Sequence, residues 1–381
     1  MSLKNDDYFF ISSISEVSKT NWNKCSGLDH PFTRYEFLHA LEKSNSVSIK
    51  TGWQPHHYIE KNKKNDIIAI CPLYIKNHSF GEYIFDHAWA DAYHRNGLNY
   101  YPKLQSAIPF TPVTGNRLLI SKKIKNKKNK TNSIIKNILE EVKRLKVSSL
   151  HFNFVPKTYC NLNLMTRQGI QYHWKNENYN SFDDFLQNLS SRKRKAIKKE
   201  RKSIADSNLS IKLFSGDEIK IEHINFFYDC YLNTTEKKWG STYLTKNFFI
   251  ELLENFSDKI LFIIAFNNYE MVAAAINFIS STHLYGRLWG SKYNIPFLHF
   301  ELCYYQAIEY AINKKLKVVE AGAQGEHKIQ RGYVPEKTWS IHWIKNKQFS
   351  EAIEKFLDQE TKQLNIHKEN LEQFIPYKSL Y

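Results

Sequence analysis

The sequence contains the same succession of elements twice, and this repeat limits the possible folds more than any other feature. Residues 52–75 contain two apolar segments, HHYIE and IIAICPLYI, around the polar turn KNKKND. Residues 259–280 repeat the plan with ILFIIAF, the turn NNYE and MVAAAINFI. Two apolar, β-branched segments around a short polar turn predict a β-hairpin. Each half of the chain is therefore expected to contain a hairpin.

The repeat continues beyond the hairpins. Ile-Pro-Phe occurs at residues 108–110 and 295–297, and Leu-Lys-Val precedes an apolar strand at residues 145–147 and 316–318. Helical stripes lie between these markers, at residues 133–144 and 298–312. The order hairpin, strand, loop, helix, strand thus predicts two related α/β units. The first copy carries a lysine-rich insertion at residues 121–130, which we interpret as a solvated loop.

The chain length also favours two domains, because 381 residues exceed the usual size of a single core. We predict domains at residues 1–178 and 179–381, both α/β proteins of the α+β type with mixed sheets. Ser181, with Asp184 three residues later, predicts the start of a junction helix whose apolar stripe continues to Ile204. An amphipathic helix is expected at residues 349–373.

Positive charge is concentrated at the predicted junction. The net charge is +16, and residues 192–202 contain eight basic side chains and one acidic one. Such a cluster can bind phosphate groups by electrostatic attraction, and the candidates are Arg192, Arg194, Lys198 and Lys199. Two alternatives remain open, namely a solvated helix face and a general lysine bias of the composition. A peripheral contact with an anionic membrane is also compatible with the charge.

Cysteine usage and hydropathy predict a cytoplasmic protein. The five cysteines are scattered and form no CxxC pair, which is typical of free thiols in a reducing compartment. The apolar runs are much shorter than the roughly 18–20 residues that span a bilayer, so no transmembrane segment is expected. The first twenty residues lack the basic and apolar regions of a secretory leader.

The loop at residues 320–333, EAGAQGEHKIQRGY, is the first candidate for chemistry. It leaves an apolar strand and turns at two glycines, and such loops often carry reactive groups in α/β proteins. Glu326 and His327 can each remove a proton from an attacking amine, and Lys328 or Arg331 can hold an anionic group. The alternative is a polar loop whose hydrogen bonds are satisfied internally.

A second group of polar and aromatic residues follows the first hairpin. Asp86, His87 and Asp91 lie among aromatic residues and could line a substrate pocket. Their spacing matches no standard metal-ligand pattern, and HExxH is absent, so no metal is expected.

The second half contains a comparable set. Tyr285, Arg287 and Trp289 alternate as on one face of a strand, and His299 and Glu301 lie at the entrance of the next helix. We predict that these five residues contact substrate, although they could equally form an ordinary polar rim. Neither a GxSxG elbow nor a phosphate-binding glycine loop occurs.

Several of these strings together resemble the FemAB-like branch of the GNAT acyltransferase superfamily, described as peptidoglycan biosynthesis or recognition proteins. They include HPFTRYEFLHALEKSNSV, GWQPHHY, PLYIKNHSFGEYIFDHAWADAY, LSSRKRKAIKKER, PFLHFELCYYQAIEYA and EAGAQGEHKIQRGY. The resemblance covers nearly the whole chain. It implies two tandem GNAT-like domains with a basic helix at the junction, and a donor that is either acyl-CoA or aminoacyl-tRNA.

The resemblance also implies roles for individual residues. The segment from Ser190 to Arg194 is similar to the basic helix of the Fem peptidyltransferases, and Lys328 with Gly332 is similar to their Phe-Lys-x-x-Phe-Gly element. Ile329 and Tyr333 depart from that element, and the loop by which ordinary GNAT enzymes grip CoA pyrophosphate is missing.

Two hypotheses follow. The chain is either an acyl or aminoacyl transferase acting on an amine acceptor, such as a peptidoglycan precursor, or a non-catalytic protein that recognises a cell-wall precursor or RNA. The partners expected for the enzyme are the donor, the amine acceptor, and tRNA or a phosphorylated precursor.

Overall fold

The computed structural model describes residues 7–239 and 242–378. The chain divides into two compact units. Unit 1 comprises residues 1–169 and 338–364, and unit 2 comprises residues 170–337 and 365–381. This interleaved division differs from the contiguous domains predicted at 1–178 and 179–381. The reason lies in unit 1, where Ile353 and Leu357 of the last helix pack with Trp89, Tyr93 and Tyr100.

The strands, in chain order, are β1 (Asp7–Ile11), β2 (Trp53–Pro55), β3 (His57–Lys61), β4 (Ile67–Cys71), β5 (Tyr74–Lys76), β6 (Lys103–Ser106), β7 (Leu119–Ile120), β8 (Ser149–Val155), β9 (Met165–Lys175), β10 (Leu209–Ser215), β11 (Ile260–Asn267), β12 (Glu270–Ile279), β13 (His283–Ser291), β14 (Val318–Glu320) and β15 (Val334–Ile344).

The helices are α1 (Lys19–Ser26), α2 (Tyr35–Lys43), α3 (His87–Arg95), α4 (Lys127–Leu145), α5 (Phe182–Gln187), α6 (Ser191–Ala205), α7 (Ile221–Trp239), α8 (Lys246–Phe256), α9 (Leu298–Phe300), α10 (Gln306–Asn313) and α11 (Lys347–Glu372). A π-helical turn, Glu301–Tyr305, joins α9 to α10, and a 3-10 segment, Glu326–Arg331, precedes β15. Across the described residues, every helix is too short or too polar to cross a bilayer.

Unit 1 contains two sheets. The first has the order β1-β3-β4-β7 and is antiparallel. In the second, β2, β5, β6, β8 and β15 are neighbours in that order, and only β6 and β8 run parallel. A parallel pair needs a crossover, which α4 provides. The apolar stripe Ile134, Ile138 and Val142 of α4 packs in the same core as Leu150 and Phe152 of β8.

Unit 2 contains one sheet with the order β10-β11-β12-β13-β14-β9. All pairs are antiparallel except β13 and β14, which are connected through α9 and α10. Apolar side chains of the sheet, including Leu284 and Val319, pack with Leu302 and Ile308 of this connection and with Phe185 of α5. Unit 2 therefore has its own core.

The predicted order of elements is present in both units. Each has an antiparallel hairpin, β3–β4 or β11–β12, followed by a strand, a helix and a parallel strand. The Phe of each Ile-Pro-Phe tripeptide has positive φ, at +57° for Phe110 and +65° for Phe297. That conformation is rare for a bulky residue, so its recurrence at matching places supports the interpretation of a repeat.

Two local predictions differ from the structure. Lys146 and Lys315, which precede β8 and β14, have left-handed φ values of +57° and +56°. By backbone conformation Lys146 therefore corresponds to Lys315. The Leu-Lys-Val tripeptides instead align Lys146 with Lys317. The junction helix is also interrupted. Leu189 forms a β-bridge with Tyr377, and the Ser190 amide donates to the Pro376 carbonyl at 2.8 Å, which ends α5 before α6 begins.

Candidate functional site

A cleft opens in unit 2 where two parallel strands separate. β13 and β14 are paired only from His283/Val318 to Tyr285/Glu320, after which β14 ends and β13 continues to Ser291. The cleft is open to solvent, with an empty volume of about 390 Å³. Its polar and aromatic lining is contributed by Asn277, Arg287, Trp289, His299, Cys303 and Tyr304.

A β-bulge shapes one wall of this cleft. Ile276 pairs with Leu288 and Asn277 pairs with Gly286, so Arg287 is an additional residue in β13. A bulge interrupts the alternation of side chains between the two faces of a strand. Consequently Trp289 shares a face with Leu284, whereas Tyr285 faces the other way. This corrects the prediction that Tyr285, Arg287 and Trp289 share one face.

His299 and Trp289 form the aromatic part of the lining. Their rings meet edge to face with centroids 5.2 Å apart, and His299 also packs edge to face on Tyr304 at 5.4 Å. The predicted neighbourhood of Arg287, Trp289 and His299 is therefore present in the structure. Tyr285 is buried and stacks on His283 instead, at 5.5 Å.

His327 reaches the cleft through a tyrosine. Its Nε2 lies 2.9 Å from the hydroxyl of Tyr304, which lines the cleft. Partial burial and the nearby charges of Lys328 and Arg331 lower the pKa of His327, so its imidazole is neutral at pH 7. Gly325 permits this placement, because its φ is +114° and a Cβ there would lie 2.6 Å from His327 Cε1. The pair can therefore relay a proton.

Glu326 is not brought to the cleft. Its side chain is 63% exposed and lies 3.4 Å from His367 Nε2. Although it is adjacent to His327 in sequence, the two side chains lie in different environments, so the structure gives Glu326 no route to a substrate in this cleft.

Lys328 and Glu320 are buried beside the cleft. Lys328 Nζ donates to the Gly322 carbonyl at 3.1 Å, and burial lowers its pKa to about 8. Burial raises the pKa of Glu320 to about 8, against the opposing charge of Arg287. A buried lysine and a buried glutamate thus titrate near neutral pH close to Arg287, as is common where proton transfer occurs.

Glu301 and Arg331 occupy internal ion pairs. Glu301 accepts from Arg201 and from Gln306, at 3.0 Å and 2.8 Å. Arg331 donates to Glu200 at 3.0 Å and lies over the ring of Phe300. Both side chains are buried and committed to these partners, so their predicted substrate contacts find no support in this geometry.

Comparison with known proteins agrees with this architecture. A sequence profile of the FemAB-like family, described as peptidoglycan biosynthesis/recognition, matches residues 13–379. The chain belongs to the FemAB-like family. No curated protein matches the sequence.

Solved structures resemble this FemAB-like chain at low sequence identity. The C-terminal domain (DUF2156) of a protein assigned as a lysylphosphatidylglycerol synthetase, from Agrobacterium fabrum, is 6% identical with a TM-score of 0.55, covering 90% of this chain and 95% of that one. FemX is 10% identical with a TM-score of 0.54, covering 91% and 100%. L-PGS from Bacillus licheniformis is 8% identical with a TM-score of 0.50, covering 90% and 97%. These likenesses show the fold, and the predicted α/β class with mixed sheets is confirmed.

In unit 1 of the FemAB-like chain, the predicted pocket residues separate. Asp86 is buried and accepts from Lys103 Nζ at 2.5 Å and from the Tyr100 hydroxyl at 2.7 Å. His87 is exposed beside the rings of Phe80 and Phe85, and Asp91 is also exposed. The buried Asp86 therefore lies in a different environment from the exposed His87 and Asp91. Over residues 7–239 and 242–378, no group of three potential metal ligands comes together.

The four predicted phosphate ligands on α6 divide into two pairs. Arg194 donates to Gln187 at 3.1 Å, and Lys198 pairs with Asp183 at 3.0 Å. Arg192 and Lys199 are exposed and, within the described residues, make no ion pair. Lys195 and Lys202 are likewise exposed and, in the part of the chain that the structure describes, make no ion pair. At spacings of three and four residues these four form one stripe, which we call the α6 stripe.

The matching strand end in unit 1 is closed by the chain itself. β6 and β8 are parallel only as far as Ser106/Phe152. Beyond that point, the Gly115 amide donates to the Phe154 carbonyl at 3.0 Å and Arg117 Nε donates to the Asn153 carbonyl at 3.1 Å. The guanidinium also reaches the carbonyls of Gly115 and Val113, and the side chain is fully buried.

Sequence reasoning overlooked Tyr304 and Glu320. Tyr304 falls within the stretch FELCYYQAIEYA, which reads as an ordinary apolar helix, and nothing in it marks the π-helical turn. Glu320 did offer a signal, because a carboxylate ends the apolar strand VVE immediately before a glycine turn.

Proposed function

We propose that this protein transfers an acyl or aminoacyl group from an activated donor to an amine, and that the cleft of unit 2 is the reaction site. The observation that carries the proposal is the contact between His327 and Tyr304 at the edge of this cleft. A transferase must hold the acyl carbon near a group that can move the proton of the attacking amine. The cleft offers both a space for the acyl group and such a proton-transfer group.

The proton path is the first step of the mechanism. The neutral imidazole of His327 can accept a proton through the hydroxyl of Tyr304 and return it by the same route. In this way the proton lost by the nucleophilic nitrogen can reach the leaving oxygen or sulfur. Arg287, which also lines the cleft, supplies positive charge where negative charge develops on the acyl oxygen.

The choice of unit 2 rests on the contrast between the strand ends. In unit 1 the place beyond the parallel pairing is taken by Arg117, whereas in unit 2 it is open. A donor can therefore enter unit 2 without displacing part of the protein.

The substrate classes follow from the family. FemAB-like membership supports a cell-wall precursor as acceptor, and the fold shared with FemX and L-PGS supports an acyl or aminoacyl donor. Acyl-CoA and aminoacyl-tRNA both carry phosphates, and we propose the α6 stripe as their contact surface. Arg192 and Lys199 are retained from the predicted set, whereas Arg194 and Lys198 already have protein partners.

The test is a transfer assay on the full chain with radiolabelled acyl-CoAs and aminoacyl-tRNAs, each offered with amine acceptors that include a UDP-linked muropeptide. We expect product with one donor class. His327→Gln should lower turnover by about 10²–10⁴-fold, the usual contribution of a positioned proton-transfer group, while leaving donor binding intact.

Glu326→Gln is the matched control, because it changes the preceding residue and removes only an exposed carboxylate. We expect its turnover to stay within about twofold of the wild type, since a surface pair contributes little. A large loss in Glu326→Gln with normal activity in His327→Gln would reverse the assignment. Tight donor or precursor binding without product under every condition would instead favour the non-catalytic recognition protein.

A further inference from the structure

Glu320 occupies a defined place at the point where the cleft begins. It is the last residue of β14 and pairs with Tyr285 of β13 on one side and with His173 of β9 on the other. Side chains directly opposite each other in neighbouring strands share a face. Since Val319 packs in the core of unit 2 with α10, the row His173, Glu320, Tyr285 lies on the other face of the sheet.

The carboxyl group of Glu320 has no hydrogen-bond partner within the part of the chain that the structure describes. It lies 4.0 Å from His173 Nε2, which is beyond hydrogen-bond range, although the side chain is only 10% exposed. Buried carboxyl groups are nearly always hydrogen-bonded, and each exception needs an explanation. A missing ligand that donates hydrogen bonds is such an explanation.

The same place connects with the cleft. Ala321, the next residue, lines the cleft, and so does Gly286. A Cβ at Gly286 would lie 3.4 Å from the Glu320 carbonyl oxygen and 3.3 Å from Asn277 Oδ1. A side chain at residue 286 would therefore narrow the gap between the separating strands at the backbone of Glu320.

We propose that Glu320 binds the ammonium group of the amine acceptor and receives its first proton, so that the acceptor approaches from the face of the sheet opposite α9 and α10. The proposal rests on the transferase function proposed above. An ammonium group carries N–H donors and a positive charge, and both complement an unpartnered buried carboxylate.

The proton balance requires such a second group. An ammonium nitrogen loses two protons when it becomes an amide. Glu320 releases its own proton to solvent as the ammonium group binds. The resulting carboxylate takes the first ammonium proton, which leaves the neutral amine, and this proton is later released to solvent. The amine nitrogen then attacks the acyl carbon, the C–N bond forms, and the bond from that carbon to the leaving oxygen or sulfur breaks. The second proton passes through Tyr304 and His327 to the leaving group.

The surroundings of Glu320 suit this role. His173 and His283 face it from β9 and β13, together with Tyr285, and burial lowers the pKa of His173 to about 3, so that histidine stays neutral. Arg287 is the cation that acts on Glu320, and Lys175 and Lys328 act on the neighbouring His173. Burial raises the pKa of Glu320 to about 8, so the acid is protonated at pH 7 and should ionise when an ammonium ion binds.

The first test needs no turnover. Infrared difference spectra of the full chain at pH 7 are recorded on adding n-propylammonium chloride, with tetramethylammonium chloride, which lacks N–H donors, as the control ion. We expect n-propylammonium alone to remove the carbonyl band of one protonated carboxylic acid, and the isosteric variant Glu320→Gln to lack this change. An unchanged spectrum in the wild type, or the same change in Glu320→Gln, would overturn the proposal.

The second test uses the donor and acceptor found in the transfer assay. Glu320→Gln should raise the KM for the amine at least tenfold, the order expected from losing a hydrogen bond to a charged group, and should leave the KM for the donor unchanged. It should also abolish the fall in amine KM as pH rises from 6 to 8. Glu336→Gln, which removes a carboxylate already paired with Lys175, is the matched control. Equal effects on the KM values of both substrates would refute the assignment of Glu320 to the amine. An infrared response without any transfer product would refute only the proposed transferase function.

Discussion

Lys103 holds together a buried cluster of charges in unit 1, and its removal gives a demanding test of that unit's energetics. Its Nζ is fully buried and contacts Ser79 Oγ and Glu82 Oε2 at 2.8 Å and Asp86 Oδ2 at 2.5 Å. Lys103→Met preserves the volume but leaves two buried carboxyl groups without their main cation. Removing one partner of a buried ion pair costs roughly 3–5 kcal/mol, so we expect the free energy of unfolding of unit 1 to fall by about that amount.

The pH dependence gives this prediction a sign. Burial raises the pKa of Glu82 to about 7 even though Lys103 opposes the shift. Without Lys103, the folded-state pKa of Glu82 must rise further above that of the unfolded chain. The pKa of Asp86, which burial alone would raise but which Lys103 holds well below its usual range, must rise as well. A carboxyl with a raised folded pKa loses stability as pH increases through that pKa.

The assay is urea unfolding followed by tryptophan fluorescence and circular dichroism at pH 5.5 and pH 8, with separate transitions fitted for the two units if they occur. The deficit of Lys103→Met relative to the wild type should be larger at pH 8. Lys292→Met is the control, because Lys292 pairs with Glu270 at the surface and should cost less than about 1 kcal/mol. A loss below about 1 kcal/mol in Lys103→Met, or one independent of pH, would refute the reasoning.

Three further outcomes are expected. Gly290→Ala should destabilise unit 2 by about 1–3 kcal/mol in urea, since its Cβ would lie 2.5 Å from the backbone of Cys230 in α7; unchanged stability would mean that α7 can move aside. Tyr304→Phe should lower turnover while preserving donor binding, and wild-type turnover would remove this hydroxyl from the proton path. Replacing the α6 stripe with glutamine should weaken binding of bulk tRNA and flatten its salt dependence without altering the melting temperature, whereas unaltered binding would leave the stripe a solvated face. That variant changes Arg192, Lys195, Lys199 and Lys202.

The repeated order of hairpin, strand, helix and strand could be predicted because it depends on local patterns. Apolar stripes, polar turns and the two Ile-Pro-Phe tripeptides are written in consecutive residues. The membership of residues 338–364 in unit 1 could not be predicted from the sequence, because it depends on the pairing of β15 with β8 and on the packing of α11 with α3. No local pattern encodes such distant partners.

The candidate site was predicted in part for the same reason. Arg287, Trp289 and His299 were found because they are polar or aromatic residues at the ends of apolar elements. The bulge at Arg287 could not be foreseen, and it turns Tyr285 away from the cleft. Glu326 was a reasonable candidate by composition, but its side chain points to solvent, whereas its neighbour His327 meets Tyr304.

In unit 1, the side chain of Arg117 fills the space beyond the parallel pairing of β6 and β8. Its guanidinium satisfies the carbonyl groups of Asn153, Gly115 and Val113, and because it is tethered to the chain it loses no translational freedom in doing so. This strand end of unit 1 is therefore filled by the protein's own side chain. Unit 2 instead keeps the buried Glu320 beside an open cleft, so corresponding strand ends differ: the protein's own side chain fills the one in unit 1, whereas the one in unit 2 is accessible to a ligand.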